Sequence, residues 1–203
     1  GQDYGGGPRF TDTLAWQIRD GAEQCPDATL IELLPDGRPE VKASYGQLYS
    51  KALRMASRLA DVDPDAPLIL CFERAVDFIP AAWAAISLGR WYIPWQIQPA
   101  AHLGGALRAR FDALRECFAQ ACLVTRDIDE SLARSIRSAA PGWSRAELEH
   151  IDEQRSVRTE GPLIEGGGCY LPTSGSSGGA RFARIRNRTL CARNDLSTAL
   201  TRP

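Results

Sequence analysis

Lysine is almost missing from this chain: of 24 basic side chains, only Lys42 and Lys51 are lysines. A Walker A loop needs a lysine straight after its second glycine, so no glycine-rich stretch here can be one. Histidine is scarce too. His102 and His150 have no ligand-spaced companions, so a zinc site is not expected. Six cysteines are present (Cys25, Cys71, Cys117, Cys122, Cys169 and Cys191), and none forms a C-x-x-C pair. In a 203-residue chain well supplied with core residues, a disulfide framework is not expected either, and reduced cysteines favour the cytoplasm. Long hydrophobic runs are absent. The longest, Phe78 to Gly89, falls far short of the roughly 20 residues that cross a bilayer, so no membrane span is expected. Gly1 to Pro8 is glycine-rich and polar, unlike a signal peptide. A formal net charge of −1 provides no field to gather nucleic acid or an anionic membrane.

What is present is ordinary globular composition, 44% hydrophobic and 24% charged, enough for one large domain or two small ones. Residues 1–10 read as a flexible lead-in. Thr11 or Thr13 is placed to cap a helix carrying Leu14, Ile18 and Ala22, stopped by Pro26. Ala28 to Leu34 reads as a strand, Pro35 to Pro39 as a turn, and Glu40 to Ala43 as a second strand. Ser44-x-x-Gln47 fits a capping box, followed by Leu48, Ala52, Met55, Ala56 and Leu59 at helical spacing. Pro67 to Phe72 is an apolar run typical of a strand buried on both faces. Ala75 to Leu88 reads as a helix capped by Gly89. Trp91 to Trp95 reads as a strand whose Pro94 argues for an edge or a strand end. His102 to Gln120 is an amphipathic helix with Leu103, Leu107, Phe111, Leu114 and Phe118. Ala121 to Thr125 is a strand, and Ile128 to Ala139 a helix. Ser144 to Glu147 has the form of a second capping box. Glu153 to Gly168 reads as a loop, linker-like from Gly161, and Cys169 to Thr173 as a strand. This alternation predicts an α/β fold with a largely parallel sheet.

The chemistry is concentrated in Thr173-Ser174-Gly175-Ser176-Ser177-Gly178-Gly179, with three glycines and four hydroxyl residues in seven positions. Such a stretch can turn tightly and bring amides and hydroxyls to an anion, and Arg181 adds a charge-assisted donor. The competing reading is a solvated glycine-serine linker, and composition does not choose between the two. Gly175-x-Ser177-x-Gly179 also fits a serine-hydrolase nucleophile elbow. In that fold the histidine follows the serine, and no histidine lies beyond His150. Trp83, Trp91, Tyr92 and Trp95 read as packing anchors. Arg184, Arg186, Arg188 and Arg193 read as a solvated face, without the aromatic interleaving of a nucleic-acid surface.

The stretch from Thr173 resembles the signature of the adenylate-forming (AMP-binding) superfamily, [ST]-S-G-[ST]-[ST]-G-x-P-K-G followed by a strand and T-H-x-N-L. This superfamily includes acyl-CoA synthetases, fatty-acyl-AMP ligases and nonribosomal peptide synthetase adenylation domains. Thr173, Ser174, Gly175, Ser176, Ser177 and Gly178 match directly. Ala180 stands for the proline, Arg181 for the lysine and Phe182 for a glycine. Asn187 to Leu190 stands for the T-H-x-N-L end. Ser44 to Ala60 and Pro67 to Trp95 resemble the upstream blocks, in the right order. The resemblance spans about residues 11 to 200.

That resemblance implies the N-terminal subdomain of a ligase in which a carboxylate attacks the α-phosphate of ATP, assisted by Mg²⁺. The acyl group then passes to the thiol of coenzyme A or of a carrier protein's phosphopantetheine. Thr173, Ser174, Gly175, Ser176, Ser177, Gly178 and Arg181 would hold the ATP phosphates, with Arg181 in the lysine's role. The family's later motifs have no counterpart here, so no catalytic or metal-binding residue can be assigned. Residues 11–203 are therefore expected to be a partial domain, inactive in adenylation alone. The alternative is a non-catalytic pseudo-adenylation module for assembly or carrier-protein docking.

Overall fold

The computed structural model describes residues 13–33, 37–96, 105–126, 130–148, 163–173 and 181–192. Helix α1 (Leu14–Gln24) begins at Thr13, whose hydroxyl accepts the Trp16 N–H at 3.1 Å. Strands β1 (Thr29–Leu33) and β2 (Pro39–Ser44) pair antiparallel as a separate two-stranded sheet. Leu34, Pro35 and Asp36 lie outside the described residues, while Gly37 has the left-handed φ of +82° that the turn predicts. Helix α2 (Tyr45–Leu59) starts with both arms of the capping box formed. Ser44 Oγ accepts the Gln47 N–H at 3.2 Å, and Gln47 Oε1 accepts the Ser44 N–H at 2.9 Å. The whole predicted stripe, Leu48, Ala52, Met55, Ala56 and Leu59, is buried. Ser44→Ala is expected to cost about 1 kcal/mol, read as a lower urea midpoint with an unchanged slope.

Six strands form the main sheet in the order β6-β5-β3-β4-β7-β8. They are β3 (Leu68–Phe72), β4 (Trp91–Gln96), β5 (Cys122–Thr125), β6 (Ser144–Glu147), β7 (Gly168–Thr173) and β8 (Arg181–Arg186). Every neighbouring pair is parallel except β7 and β8. Helix α3 (Ala75–Ser87) connects β3 to β4. Helix α4 (Gly105–Cys117) carries the chain back past β3 to β5, and α5 (Glu130–Ala139) carries it on to β6. Right-handed crossovers running in opposite directions place their helices on opposite faces. The core divides accordingly. Leu68, Leu70 and Phe72 pack with α1, α2 and α3, whereas Ile69 and Cys71 pack with Phe111, Leu114 and Ile136 of α4 and α5. All five residues of β3 are buried, as its apolar run predicts.

Gly89 ends α3 as predicted, with φ +63°. The Arg90 N–H reaches Ala85 O at 2.9 Å and the Gly89 N–H reaches Ile86 O at 3.0 Å, which is the Schellman pattern. All six cysteines are free, four of them buried.

Three expectations change. Ser144 to Glu147 is strand β6, because the Ser144 N–H bonds Ala121 O at 3.2 Å and the next residues pair with β5. A capping-box pattern is only four residues of local sequence, and pairing with an open strand edge overrides it. Pro94 lies inside the sheet order, between β3 and β7. Yet β7 pairs with β4 only at Trp91 and Tyr92, so among the described residues that side of β4 carries no ladder beyond them, where a proline is tolerated. The end of the supposed linker is packed: the Ile164 N–H bonds Ser87 O at 2.9 Å, and the Asn187 side-chain amide bonds Gly166 O at 2.8 Å. The predicted start of α4 at His102 and Leu103 lies outside the described residues.

Candidate functional site

The carboxyl ends of β3 and β5 are adjacent, and their connections leave in opposite directions. This is the switch point at which open α/β sheets hold ligands. The polar groups there are tied into the scaffold. Pro80 sits inside α3 and has no N–H to give Val76 O, its acceptor four residues back. Lys51 of α2 supplies the missing donor, with Nζ 3.3 Å from Val76 O and 2.5 Å from Asp77 Oδ1. Arg126, just past β5, places Nη1 3.7 Å from the same carboxylate oxygen. Glu32 of β1 accepts the Ala75 N–H at 3.1 Å, so the start of α3 already has a carboxylate facing it.

One of the chain's two lysines is thereby committed to a structural job. Lys51→Met is expected to cost about 2 kcal/mol, because it leaves a carbonyl and a mostly buried carboxylate short of a donor. Adding Pro80→Ala returns an N–H to Val76 O and is expected to recover part of that loss. A double-mutant cycle in urea reads the coupling.

Two of the predicted phosphate-binding residues, Thr173 and Arg181, lie on β7 and β8, on the far side of β4. Thr173 and Arg181 face each other as the last pair of the β7–β8 ladder, and the Thr173 hydroxyl donates to Arg181 O at 3.2 Å. That bond engages the hydroxyl proton and closes the neck from which residues 174–180 leave. Ser174, Gly175, Ser176, Ser177 and Gly178 lie outside the described residues. The structure therefore brings together the two ends of the predicted site, Thr173 and Arg181, both of them exposed.

Beneath the neck the two strands are held closely. Gly167 has φ +64°, and a Cβ on it would lie 2.3 Å from Arg90 O. A Cβ on Gly168 would lie 2.1 Å from Ile185 O and 2.8 Å from the Trp91 ring. Directly opposed residues share a face of the ribbon. Tyr170, Arg184, Pro172 and Phe182 therefore occupy one face, and Leu171, Ala183, Thr173 and Arg181 the other. On the first face Tyr170 packs on Trp91 and Phe118, with ring centroids 5.0 Å apart in both cases. Phe182 packs edge-on to Phe118 at 5.4 Å. The Arg184 guanidinium lies 4.0 Å from the centre of the Trp91 ring, so this arginine of the supposed solvated face makes a cation–π contact. The sequence marks neither Phe118 nor Phe182 as supporting a site, beyond a phenylalanine at 182 where the family signature has glycine.

An open cavity of about 460 Å³ lies between the end of α4 and the turn before β6, lined by residues such as Asp112, Arg115, Glu116 and Trp143. Neither Thr173 nor Arg181 lines it. Among the described residues no group of three or more His, Cys, Asp or Glu is placed to hold a metal ion. Among the same residues no helix is long and apolar enough to cross a membrane.

No family model matches the sequence, and no curated protein does. Solved structures do match. A keto acid-selecting nonribosomal peptide synthetase adenylation domain, bound to keto acyl adenylate, aligns at TM-score 0.74 and 15% identity, over 94% of this chain and 36% of that one. The McyG A-PCP structure, complexed with phenylalanyl-adenylate, aligns at TM-score 0.69 and 18% identity, over 93% of this chain and 30% of that one. A structure from work on fatty acyl-adenylate ligases of E. coli and L. pneumophila gives TM-score 0.69 and 19% identity, over 90% and 33%. The chain has the fold of the N-terminal part of adenylate-forming ligases. It spans about a third of the length of these three structures. Within the adenylate-forming fold, Thr173 and Arg181 form the last pair of the β7–β8 ladder.

Proposed function

We propose that this chain is the N-terminal portion of an ATP-dependent ligase that activates a carboxylic acid as its acyl-adenylate and passes the acyl group to a thiol of coenzyme A or a carrier protein. What supports this reading is that Thr173 and Arg181, the described ends of a stretch of hydroxyls and glycines in the sequence, close the β7–β8 ladder of an adenylate-forming fold. Hydroxyls, amides and a guanidinium are the donors that polyphosphate oxygens take, and catalysis of phosphoryl chemistry is mostly positioning and charge stabilisation of that kind. The donor set fits the β- and γ-phosphates of ATP. Ser174, Ser176 and Ser177 offer hydroxyls, Gly175 and Gly178 allow close backbone approach, Arg181 supplies charge, and Thr173 closes the neck. Mg²⁺, which the family resemblance implies as the companion of ATP, would supply neutralisation of the polyphosphate charge. The acid, the acceptor thiol and a soluble, cytoplasmic setting belong to the same proposal.

Calorimetric titration tests it. Mg-ATP and inorganic tripolyphosphate are expected to bind, AMP at least tenfold more weakly, and the Ser176→Ala/Ser177→Ala variant about tenfold more weakly for ATP, as lost charge-assisted hydrogen bonds imply. Absence of saturable binding by either polyphosphate contradicts the reading. Because the chain spans only about a third of the ligases it resembles, it is expected to give no acid-dependent ATP–pyrophosphate exchange alone. Binding without exchange fits a ligase portion; neither binding nor exchange favours a non-catalytic docking module.

A further inference from the structure

We infer that Phe182 is a positioning residue: by packing on Phe118 it holds the β7–β8 register that keeps Arg181 on the same face of the ribbon as Thr173. This rests on the reading of the neck as a polyphosphate site. Side chains alternate across a strand, so a one-residue slip of β8 would move Arg181 to the aromatic face and Phe182 to the opposite one. Register is well specified only where one face is buried, and β7 leaves β4 after Cys169. From Tyr170 onward the ribbon has no ladder to β4, and Leu171, Pro172 and Thr173 are all exposed. The far part of the ribbon is therefore pinned by its aromatic face. Tyr170 anchors the near strand on Phe118, and Phe182 anchors the returning strand on the same ring, with interplanar angles of 68° and 65°. The Arg184–Trp91 contact fixes the returning strand two residues further along, on the same face. Phe182 adjoins Arg181 in sequence and is the last side chain of the returning strand to touch that cluster before the neck. A glycine at 182, as in the signature this stretch resembles, would leave Arg181 without that neighbouring anchor.

The test compares the full chain with Phe182→Ala, Phe182→Tyr, Arg181→Ala and the double variant R181A/F182A. Cross-strand NOEs between Thr173 and Arg181 report the register, and calorimetry with Mg-tripolyphosphate reports the site. Phe182→Ala is expected to lose those NOEs while the NOEs between β3 and β4 persist. It is also expected to weaken binding about tenfold, comparable to losing one charge-assisted contact. Phe182→Tyr should restore both. The double variant should bind no more weakly than Arg181→Ala, a non-additivity that general loosening of the fold does not produce. If Phe182→Ala keeps the NOEs and the affinity, or if its loss adds in full to that of Arg181→Ala, the inference is wrong while the polyphosphate reading stands. If the wild-type chain binds no tripolyphosphate, both fail.

Discussion

Gly168→Ala is expected to destabilise the chain by about 3 kcal/mol or more, at the upper end of what overpacking costs. The added methyl would sit 2.1 Å from Ile185 O and 2.8 Å from Arg186 Cα, both backbone atoms, and 2.8 Å from the Trp91 ring. No side-chain rotation clears those contacts, so β7 has to move away from β4, from β8 or from both. Among the described residues, Trp91↔Gly168 and Tyr92↔Cys169 are the ladder pairs that join the ribbon to β4. Hydrogen exchange should therefore show amides of residues 181–186 losing protection before those of β3. Gly21 is the control. It lies in α1, and a Cβ there meets nothing within 4 Å. Gly21→Ala is expected to stabilise the chain by about 0.5–1 kcal/mol through helix propensity alone. Equal effects at the two glycines would contradict the close approach at the junction.

Arg90→Met is expected to cost about 3–5 kcal/mol, the range for stripping a partner from buried polar groups. Arg90 is 7% exposed, and its guanidinium donates to Val62 O at 3.0 Å, Ala66 O at 2.9 Å, Leu59 O at 3.5 Å and Asp63 O. These carbonyls belong to the last turn of α2 and to the turn leading into β3. A cation there satisfies acceptors that the helix end leaves open and complements its dipole. Burial pulls the Arg90 pKa below its usual value, with nearby Cys122, Asp63 and Asp65 opposing that shift. Methionine keeps much of the apolar stem but abandons the carbonyls. Arg90→Lys should fall between, since one ammonium cannot span acceptors spread over residues 59 to 66. A loss below about 1 kcal/mol for Arg90→Met would show that these carbonyls find water instead.

Neither of these two sites is legible from local sequence, whereas other features are. The Ser44–Gln47 box and the Gly89 cap are decided within a few residues of chain, so local chemistry was enough. The burial of Leu68 to Phe72 on both faces was legible from an unbroken apolar run. Ser144 to Glu147 has the same local pattern as a box, and pairing with β5 decided otherwise. The glycines at 167 and 168 look like linker, but Arg90 and Ile185, distant in sequence, crowd them. Lys51 is distinguished in the sequence only by the scarcity of lysine. Its partners Val76 and Asp77 lie 25 and 26 residues on, and the proline that creates the need for it sits inside a helix. At the candidate site, the hydroxyl-and-glycine stretch was legible as chemistry. The side of the ribbon that Arg181 faces was not, because it depends on where Phe182 packs.

Backbone amide chemical shifts of the full chain, recorded with and without Mg-tripolyphosphate, test the central claim most directly. The account predicts saturable perturbations concentrated between Thr173 and Arg181, with β3 and the Lys51–Asp77 contact unmoved. Perturbations centred on the cavity beside Trp143, or none at any concentration, would contradict it.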